Sequence, residues 1–313
     1  MTTSFWGGSV EQYAQTAETA RSTIEAVVKD GGPRVQLLIG GFVAYGEDSF
    51  QEALGKAGAL AHADGLSFHL APEVCLSFGC AGPFDNMDSF AVLLAQRAAF
   101  YRNCSRQYIP RFRHAPTDSA VPLWSTEGGT DDTSFLVGLS ETGAGLPPSR
   151  CLPPLNFRAG AARTVVGEAL MQTAGIQAHY YYWQAQAPPH GWGVQSLASS
   201  VEGFANTNML DLTLAPRPKL LARLAFQERI ASCRLPPRLV RQNGAWCFVY
   251  TCRNDTGLGG LGVMLLWSER STVMLDLASI EPLLRKATHA APRAPSERSV
   301  NAPSSKSCTL KCT

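Results

Sequence analysis

The chain has 313 residues, of which 17% are charged, and a formal net charge of +2 at pH 7. This length suffices for a large core and one or two domains. Lys and Arg form no dense run, and no apolar stretch reaches the roughly 20 residues that a membrane-spanning helix needs. The first residues lack the basic and apolar regions of a secretory signal. We therefore expect a globular protein with no nucleic-acid partner and no membrane partner.

The first two thirds of the chain predict helices that alternate with strands. Residues 9–30 have apolar side chains at helical spacing, with Ser9 and Gln12 in a capping-box pattern. Residues 35–39 form an apolar run closed by a Gly pair, which is typical of a strand in a parallel sheet. The alternation continues with helix 50–62, strand 66–70, helix 90–103, strand 121–126, helix 159–174, strand 178–184 and helix 218–230.

This order predicts an α/β fold with a parallel sheet and right-handed crossovers. A helix followed by four strand–helix units is half of an eight-stranded (β/α)8 TIM barrel, although four units also fit a small open sheet. Residues 1–232 form the predicted barrel-type domain. Residues 236–285 predict a small antiparallel β module, and residues 288–313 lack periodicity and predict a disordered tail.

The nine cysteines are an odd number, which rules out complete pairing within the chain. Cys75 with Cys80, and Cys247 with Cys252, could each close a short loop, and buried free thiols fit equally well. Because no pair of CxxC units is present and the histidines are isolated in sequence, we expect no metal. The Gly pairs at residues 40–41 and 128–129 lack GxGxxG or P-loop spacing, and the chain has no GxSxG elbow, so we expect no cofactor and no serine hydrolase.

One carboxylate stands at the end of a predicted strand. In residues 123–129, Leu-Trp-Ser-Thr-Glu-Gly-Gly, an alternating run stops at a Gly pair and delivers Glu127 to the following loop. Parallel α/β barrels hold their active sites at the C-terminal ends of the strands. Residues 179–184, His-Tyr-Tyr-Tyr-Trp-Gln, form the next predicted strand. A single carboxylate near aromatic residues suggests carbohydrate chemistry.

Several motifs resemble one known family in their order along the chain. Residues 64–69 resemble a strand-six motif that ends in a substrate-facing His, and residues 124–128 a strand-seven motif that carries a nucleophile. Residues 181–183 resemble a strand-eight motif whose Trp floors a sugar subsite. Residues 203–219 resemble the passage before the last helix, and residues 5–13 the segment after strand four. The chain is thus similar to the C-terminal half of a clan-A (TIM-barrel) retaining glycoside hydrolase.

The resemblance implies a partial (β/α)8 TIM barrel with about the last four strand–helix units, followed by a small C-terminal antiparallel β module. The family carries its acid/base Glu on strand four, so the resemblance implies a truncated chain in which this carboxylate is missing. Glu47 and Glu73 lie at predicted strand ends, but neither matches the acid/base position. Because half a barrel leaves two strand edges unpaired, we expect a missing N-terminal half or self-association to complete it.

The resemblance also implies roles for individual residues. Glu127 would be the nucleophile and would need an ordinary or lowered pKa to stay ionised; an ion-paired loop carboxylate is the alternative. His69 would hydrogen-bond Glu127 or a sugar hydroxyl, and a histidine satisfied within the core fits equally well. The remaining predicted substrate contacts, for which plain packing is the alternative, are Trp183, Tyr181, His190 and Trp192.

The sequence therefore favours a retaining glycoside hydrolase, or a truncated form of one, that acts on O-glycosidic bonds of a carbohydrate substrate. The alternative is a non-catalytic carbohydrate-binding remnant or pseudoenzyme that lacks the proton donor. A third interpretation is an unrelated open α/β protein, in which Glu127 would lie far from His69 and Trp183. The resemblance makes a secreted or extracellular location the expectation.

Overall fold

A computed structural model of the protein describes residues 8–43, 48–69, 87–117, 120–128, 157–181, 209–210, 215–252, 261–268, 272–275, 282 and 308–311. The chain divides into two compact units, Met1–Ala222 and Arg223–Thr313. This division falls inside the last long helix, whereas the boundary expected from the sequence, residue 232, lies just after that helix. None of the helices in the described ranges is both long and apolar enough to cross a membrane.

Helix α1, Val10–Lys29, begins at the predicted capping box. The Gln12 N–H donates to Ser9 Oγ at 3.2 Å, and the Ser9 N–H donates to Gln12 Oε1 at 2.8 Å. These two bonds satisfy backbone N–H groups that have no partner within the first helical turn. After the helix, Gly31 adopts φ +84°, a conformation that suits glycine and turns the chain toward the first strand.

Strands and helices alternate through the chain that follows. The elements are β1 Leu38–Val43, α2 Asp48–Lys56, β2 Gly65–His69, α3 Met87–Tyr108, β3 Leu123–Gly128, α4 Phe157–Thr173, β4 Ala178–Tyr181 and α5 Pro218–Ile230. Short 3-10 helices, Ala59–His62 and Pro110–Phe112, follow α2 and α3. The four strands form one parallel sheet in the order β1-β2-β3-β4, which confirms the predicted strand–helix architecture.

Strand β1 begins and ends later than the sequence predicts. The expected strand stops before the Gly40-Gly41 pair, whereas the structure places both glycines inside β1. Gly40 has φ +142°, and a Cβ on it would collide with the Ser67 carbonyl of β2. The Gly pair therefore does not end the strand. It permits a bulge at which the backbones of β1 and β2 approach closely.

One face of the parallel sheet, which we call the helix face, carries Phe42, Leu66, Phe68 and Leu123. Phe68 is fully buried and stacks on Tyr101 of α3, with ring centroids 4.8 Å apart. Phe42 stacks on the same ring at 6.1 Å. Leu66 and Leu123 are fully buried as well. These apolar contacts form the core that holds α3 against the sheet.

The opposite face, which we call the open face, carries Ser67, His69, Trp124, Glu127 and Tyr180. Trp124 of β3 stacks on Tyr180 of β4, with ring centroids 6.0 Å apart. Tyr180 nevertheless keeps 48% of its surface exposed. In a closed barrel this face would line the interior. The described part of the chain therefore exposes side chains that a complete barrel would cover.

Asp64, just before β2, joins three segments at the N-terminal end of the sheet. Its carboxylate accepts hydrogen bonds from the Leu37 N–H at 2.7 Å, from Arg21 of α1 at 2.6 Å, and from Arg111 after α3. Burial alone would raise the pKa of Asp64, but these three bonds together lower it to about 2. A single carboxylate thus ties α1, the approach to β1 and the end of α3 to the sheet.

We expect Asp64→Asn to lower the free energy of unfolding by about 2–4 kcal/mol, because two guanidinium groups lose their carboxylate. The loss should be smaller than for a fully buried pair, since Arg111 is 40% exposed. Because the pKa is lowered, the stabilisation is present above about pH 3.8 and is lost as the pH falls toward about 2. Urea denaturation at neutral and acidic pH measures both effects.

The exposed Glu25 of α1 provides a matched control for this substitution. Glu25→Gln also removes one carboxylate charge, but from a solvated position, so its effect should stay within about 0.5 kcal/mol. If Asp64→Asn cost no more than Glu25→Gln, the carboxylate would not organise this end of the sheet.

The second unit contains an antiparallel sheet of three strands in the order β5 Cys233–Gln242, β6 Ala245–Cys252 and β7 Leu261–Ser268. Asn243-Gly244, both with positive φ, joins β5 to β6, and this dipeptide is a common two-residue hairpin turn. Residues 246–251 and 262–267 predict β6 and β7, whereas no strand is predicted at β5. Two adjacent prolines interrupt β5, and proline within a run argues against a strand unless it lies at an edge or bulge.

Two further short strands, β8 Thr272–Leu275 and β9 Cys308–Lys311, pair antiparallel. Strand β9 falls within residues 288–313, for which the sequence predicts a disordered tail. A strand this short shows no recognisable periodicity, and only its pairing with β8 reveals it.

The disulfide of the second unit differs from the pairing considered at the sequence level. Cys252 is bonded to Cys233, the residue opposite it on β5, and Cys247 is a buried free thiol. A Cys247–Cys252 loop is not formed because both residues lie on one extended strand. Five residues of strand separate their Cα atoms by about 16 Å, whereas a disulfide needs about 7 Å or less. Cys75 and Cys80 lie outside the described residues.

Candidate active site

Every pairing in the parallel sheet has a register shift near the C-terminal ends of the strands. The shift lies at residues 40–42 between β1 and β2, at 68–69 between β2 and β3, and at 125–128 between β3 and β4. A bulge leaves an extra residue unpaired, and it inverts the alternation of side chains beyond it. At this edge of the sheet, simple alternation therefore does not predict which face a side chain occupies.

The shift between β2 and β3 brings His69 and Glu127 together. Ser125 pairs with Phe68 on the helix face, so simple alternation would place Glu127 on the helix face as well. The register instead skips Thr126 and pairs Glu127 with His69. As a result, Nδ1 of His69 lies 3.1 Å from Oε2 of Glu127. The structure therefore contains a contact between His69 and Glu127, one of the two partners that the resemblance implies for His69.

The pair is partly buried and has backbone along one flank. The side chains of His69 and Glu127 keep 21% and 26% of their surface exposed. Gly41 of β1 lies beside the imidazole, and a Cβ on Gly41 would stand 3.4 Å from Nε2. Gly41 also has φ +72°, which disfavours any other residue there. The glycine therefore leaves space beside Nε2 that a side chain would fill.

Burial favours the neutral form of both Glu127 and His69. It raises the pKa of Glu127 to about 7 and lowers the pKa of His69. In the neutral state the two side chains share one proton along their contact. The expectation of an ordinary or lowered pKa for Glu127 does not hold, because no charge on a described residue offsets the burial of the carboxylate.

Several predicted site residues lie outside the part of the chain that the structure describes. Trp183, His190 and Trp192 belong to this group, as do the carboxylates Glu47 and Glu73. Their predicted roles stay predictions.

Tyr181 lies on the helix face, away from the His69–Glu127 pair. Its hydroxyl donates to the Thr164 carbonyl of α4 at 3.4 Å, and its ring lies 4.7 Å from that of His179. With 6% exposure, Tyr181 has little surface to offer a sugar, so this placement does not fit the predicted substrate contact. The sequence alone cannot choose between neighbouring tyrosines, because the face of each depends on the register of β4.

Trp124 and Tyr180 are two open-face residues that the sequence analysis did not assign to the site. Trp124 of β3 stacks on Tyr180 of β4. Its indole Nε1 is buried and has no hydrogen-bond partner among the described residues. Alternation from Ser125, a buried position on the helix face, could have placed Trp124 on the opposite face.

A second histidine–glutamate pair lies on the helix face. His179 Nδ1 of β4 is 3.5 Å from Glu168 Oε2 of α4, and each side chain is only 8% exposed. This pair links a strand to its helix and is too enclosed to meet a substrate. Within the described ranges, no group of three or more His, Cys, Asp or Glu residues is arranged to hold a metal ion.

The fold and the position of the pair limit the class of protein. A parallel strand–helix sheet with a carboxylate at a strand C-terminus fits a part of a TIM barrel and also fits an open α/β sheet. No protein-family model matches the sequence, and no curated protein matches it either. The comparison that identifies the fold is therefore structural.

Among solved structures, a family 39 glycoside hydrolase from the gut symbiont Bacteroides cellulosilyticus WH2 matches 84% of this chain, with a TM-score of 0.52 and 14% identity. The GH51 arabinofuranosidase from Xanthomonas axonopodis pv. citri and AbfB, a family 51 alpha-L-arabinofuranosidase from Bifidobacterium longum, each match 86% of it. Their TM-scores are 0.48, at 11% and 12% identity. The chain spans 46%, 50% and 52% of these three structures. The family 39 match confirms the predicted partial TIM-barrel fold of a glycoside hydrolase.

We expect the protein to lose stability as the pH rises from about 4.5 to about 7, because over this range the unfolded chain releases the Glu127 proton while the folded protein retains it. Glu127→Gln stays neutral. We compare the free energy of unfolding of this variant with that of wild type at each pH. The difference, variant minus wild type, should be higher at about pH 8 than at about pH 5 by on the order of 1–3 kcal/mol. Urea unfolding at the two pH values measures the difference. Glu18→Gln, on the exposed surface of α1, is the control. An equal effect of Glu127→Gln at both pH values would show that burial does not raise this pKa.

Proposed function

We propose that this chain carries the nucleophile of a retaining glycoside hydrolase that cleaves β-linked O-glycosides, with Glu127 in that role. The observation that carries the proposal is the 3.1 Å contact between His69 and Glu127 at the C-terminal end of the parallel sheet. Barrel enzymes build their active sites at this end. The fold shared with a family 39 glycoside hydrolase supports the same class of reaction.

In this proposal Glu127 reacts in its ionised form. A carboxylate oxygen attacks the anomeric carbon, the bond to the leaving group breaks with its electron pair on oxygen, and a glycosyl ester of Glu127 forms. Water then attacks the same carbon, the ester bond breaks, and the carboxylate is regenerated while the proton of water passes to a base. Because the pKa of Glu127 is about 7, ester formation should become faster as the pH rises through about 7.

His69 would orient the nucleophile. Its Nδ1–H donates to Oε2 of ionised Glu127, which leaves Oε1 to approach the anomeric carbon. Burial lowers the pKa of His69, so the imidazole holds the carboxylate without cancelling its charge. The space beside Nε2, next to Gly41, would accept a sugar hydroxyl.

The mechanism also requires a second carboxyl group about 5–5.5 Å from the nucleophile, which protonates the leaving oxygen. A carboxylate that close would raise the pKa of Glu127 by repulsion. Among the described residues, however, burial alone accounts for the raised pKa. We therefore place the acid/base outside them. Trp183, His190 and Trp192 keep their proposed roles as sugar contacts, whereas Tyr181 is not carried forward.

We further propose that additional strands complete the sheet. In the described part of the chain, β1 and β4 are the outer strands, and each has an edge without a described partner. The strands would come from another segment of a longer polypeptide or from a second copy of this chain. Light scattering of the purified chain distinguishes these sources. A dimeric mass is expected for self-association, and a monomeric mass would exclude the second copy.

Covalent trapping tests the proposed nucleophile. A panel of 2,4-dinitrophenyl β-glycosides should release a burst of dinitrophenolate stoichiometric with protein, because this leaving group departs without a proton. The 2-deoxy-2-fluoro analogues should leave a long-lived ester on Glu127, since the fluorine slows hydrolysis of the intermediate. Intact mass spectrometry measures the occupancy, and peptide mapping locates the ester. Added azide should speed turnover, because this small anion attacks without a general base.

Two variants make the trapping experiment decisive. Glu127→Gln should lower the burst rate by about 1000-fold or more, as expected when a nucleophile is removed. Glu52→Gln, which changes an exposed carboxylate of α2, should retain the burst. An ester on a residue other than Glu127 would contradict the assignment, and so would a burst that survives Glu127→Gln.

One observation favours a second function, carbohydrate binding without hydrolysis. With a pKa of about 7, Glu127 is partly protonated at neutral pH, and the protonated form donates a hydrogen bond rather than attacking carbon. Under this alternative, calorimetry would detect glycan binding that Glu127→Gln preserves. The activated fluoro-glycosides would then bind reversibly and leave no ester.

A further inference from the structure

We propose that Ser67 and Ser125 are positioning residues for the His69–Glu127 pair, because each hydroxyl bonds a backbone group at one of the bulges that set the pair in place. The two serines flank the pair, one on β2 and the other on β3. The inference concerns how the sheet holds the pair. It does not depend on whether the pair hydrolyses glycosides.

Ser67 secures the bulge of β1. The register runs from Gly40 opposite Ser67 directly to Phe42 opposite Phe68, so Gly41 has no partner residue on β2. The Gly41 N–H instead donates to Ser67 Oγ at 2.8 Å. Ser67 is 5% exposed, so water has little access to replace its hydroxyl. The bond fixes Gly41 in its positive-φ conformation beside Nε2 of His69.

Ser125 secures the bulge of β3. Its fully buried hydroxyl donates to the backbone carbonyl of Glu127 at 3.3 Å, two residues further along the same strand. Between Ser125 and Gly128 the register with β4 is broken, so Glu127 has no regular pairing partner on β4, although it pairs with His69 of β2. A local bond from a serine hydroxyl to a nearby backbone group offers an alternative to the ladder. Here the bond joins Ser125 to Glu127 across the bulge, where the backbone turns the Glu127 side chain toward the open face.

The energetic cost of losing these bonds is large enough to move the pair. A buried backbone group left without a partner is costly, and a bulge can relax by shifting its register to recover one. The bond of Ser67 is the shorter of the two, so its loss should have the larger effect. Either change would displace His69 or Glu127 relative to the other.

The test measures the imidazole of His69 directly by long-range 1H–15N NMR on the full chain at about pH 8, where the tautomer is visible in the two ring nitrogens. Ser67→Ala and Ser125→Ala should each shift these resonances, and Ser67→Ala should shift them more. Ser105→Ala is the matched control. It removes an equally buried hydroxyl, but one that bonds the Tyr101 carbonyl within α3, so His69 should not respond.

Ser67→Cys covers the case in which Ser67→Ala does not fold. A thiol is larger than the hydroxyl and can fill its place, but it is only a weak acceptor, so it should give a smaller shift of the His69 resonances in the same direction. Wild-type His69 resonances in Ser67→Cys and Ser125→Ala would overturn the proposal. A response to Ser105→Ala as large as that to Ser125→Ala would also overturn it, by showing that any buried serine has this effect. Because enzymatic activity is not measured, failure of the trapping experiment would leave this result unchanged.

Discussion

The site depends on one geometric constraint, the two-residue period of a β-strand. In an unbroken parallel sheet, Glu127 would share the helix face with Ser125, where a carboxylate would be buried among apolar side chains. The register shift at Thr126 reverses this and sets Glu127 opposite His69 on the open face. A single extra residue in the strand thus converts a position in the core into a position where a carboxylate can meet a ligand.

This placement has an electrostatic consequence that bears on function. The pair is buried enough to disfavour charge on both members, and no charge on a described residue offsets that burial for Glu127. A carboxylate nucleophile must be ionised, whereas a neutral carboxyl can donate a hydrogen bond or a proton but cannot attack carbon. Under the proposed role, Glu127 would therefore act as a nucleophile above about pH 7, whereas below that pH its protonated form would donate a hydrogen bond. Residues that would complete the barrel could change this balance by adding a positive charge or a hydrogen-bond donor near Glu127.

Much of the fold is predictable from the sequence, because helices and strands have different periods of apolar residues. That difference gives the parallel sheet and Glu127 at the end of a strand, and the spacing of Ser9 and Gln12 gives the capping box that begins α1. The bulges are not predictable, since they arise from pairing between segments distant in sequence. For this reason β1 was expected to end before its glycines, Tyr181 was expected to face the substrate, and the disulfide partner of Cys252 was not foreseen. Strand β9 was missed for the same reason.

Titration of the Glu127 carboxyl tests most directly whether the bulge encloses this group with His69. Carbon-13 NMR of the glutamate side chains, with Glu127→Gln to assign the resonance, follows the ionisation of this group alone. The register described here predicts a midpoint near pH 7, as expected for a carboxyl partly buried against a neutral histidine. A midpoint near 4.5, the ordinary value, would contradict it, because Glu127 would then be solvated and the bulge would not enclose it with His69.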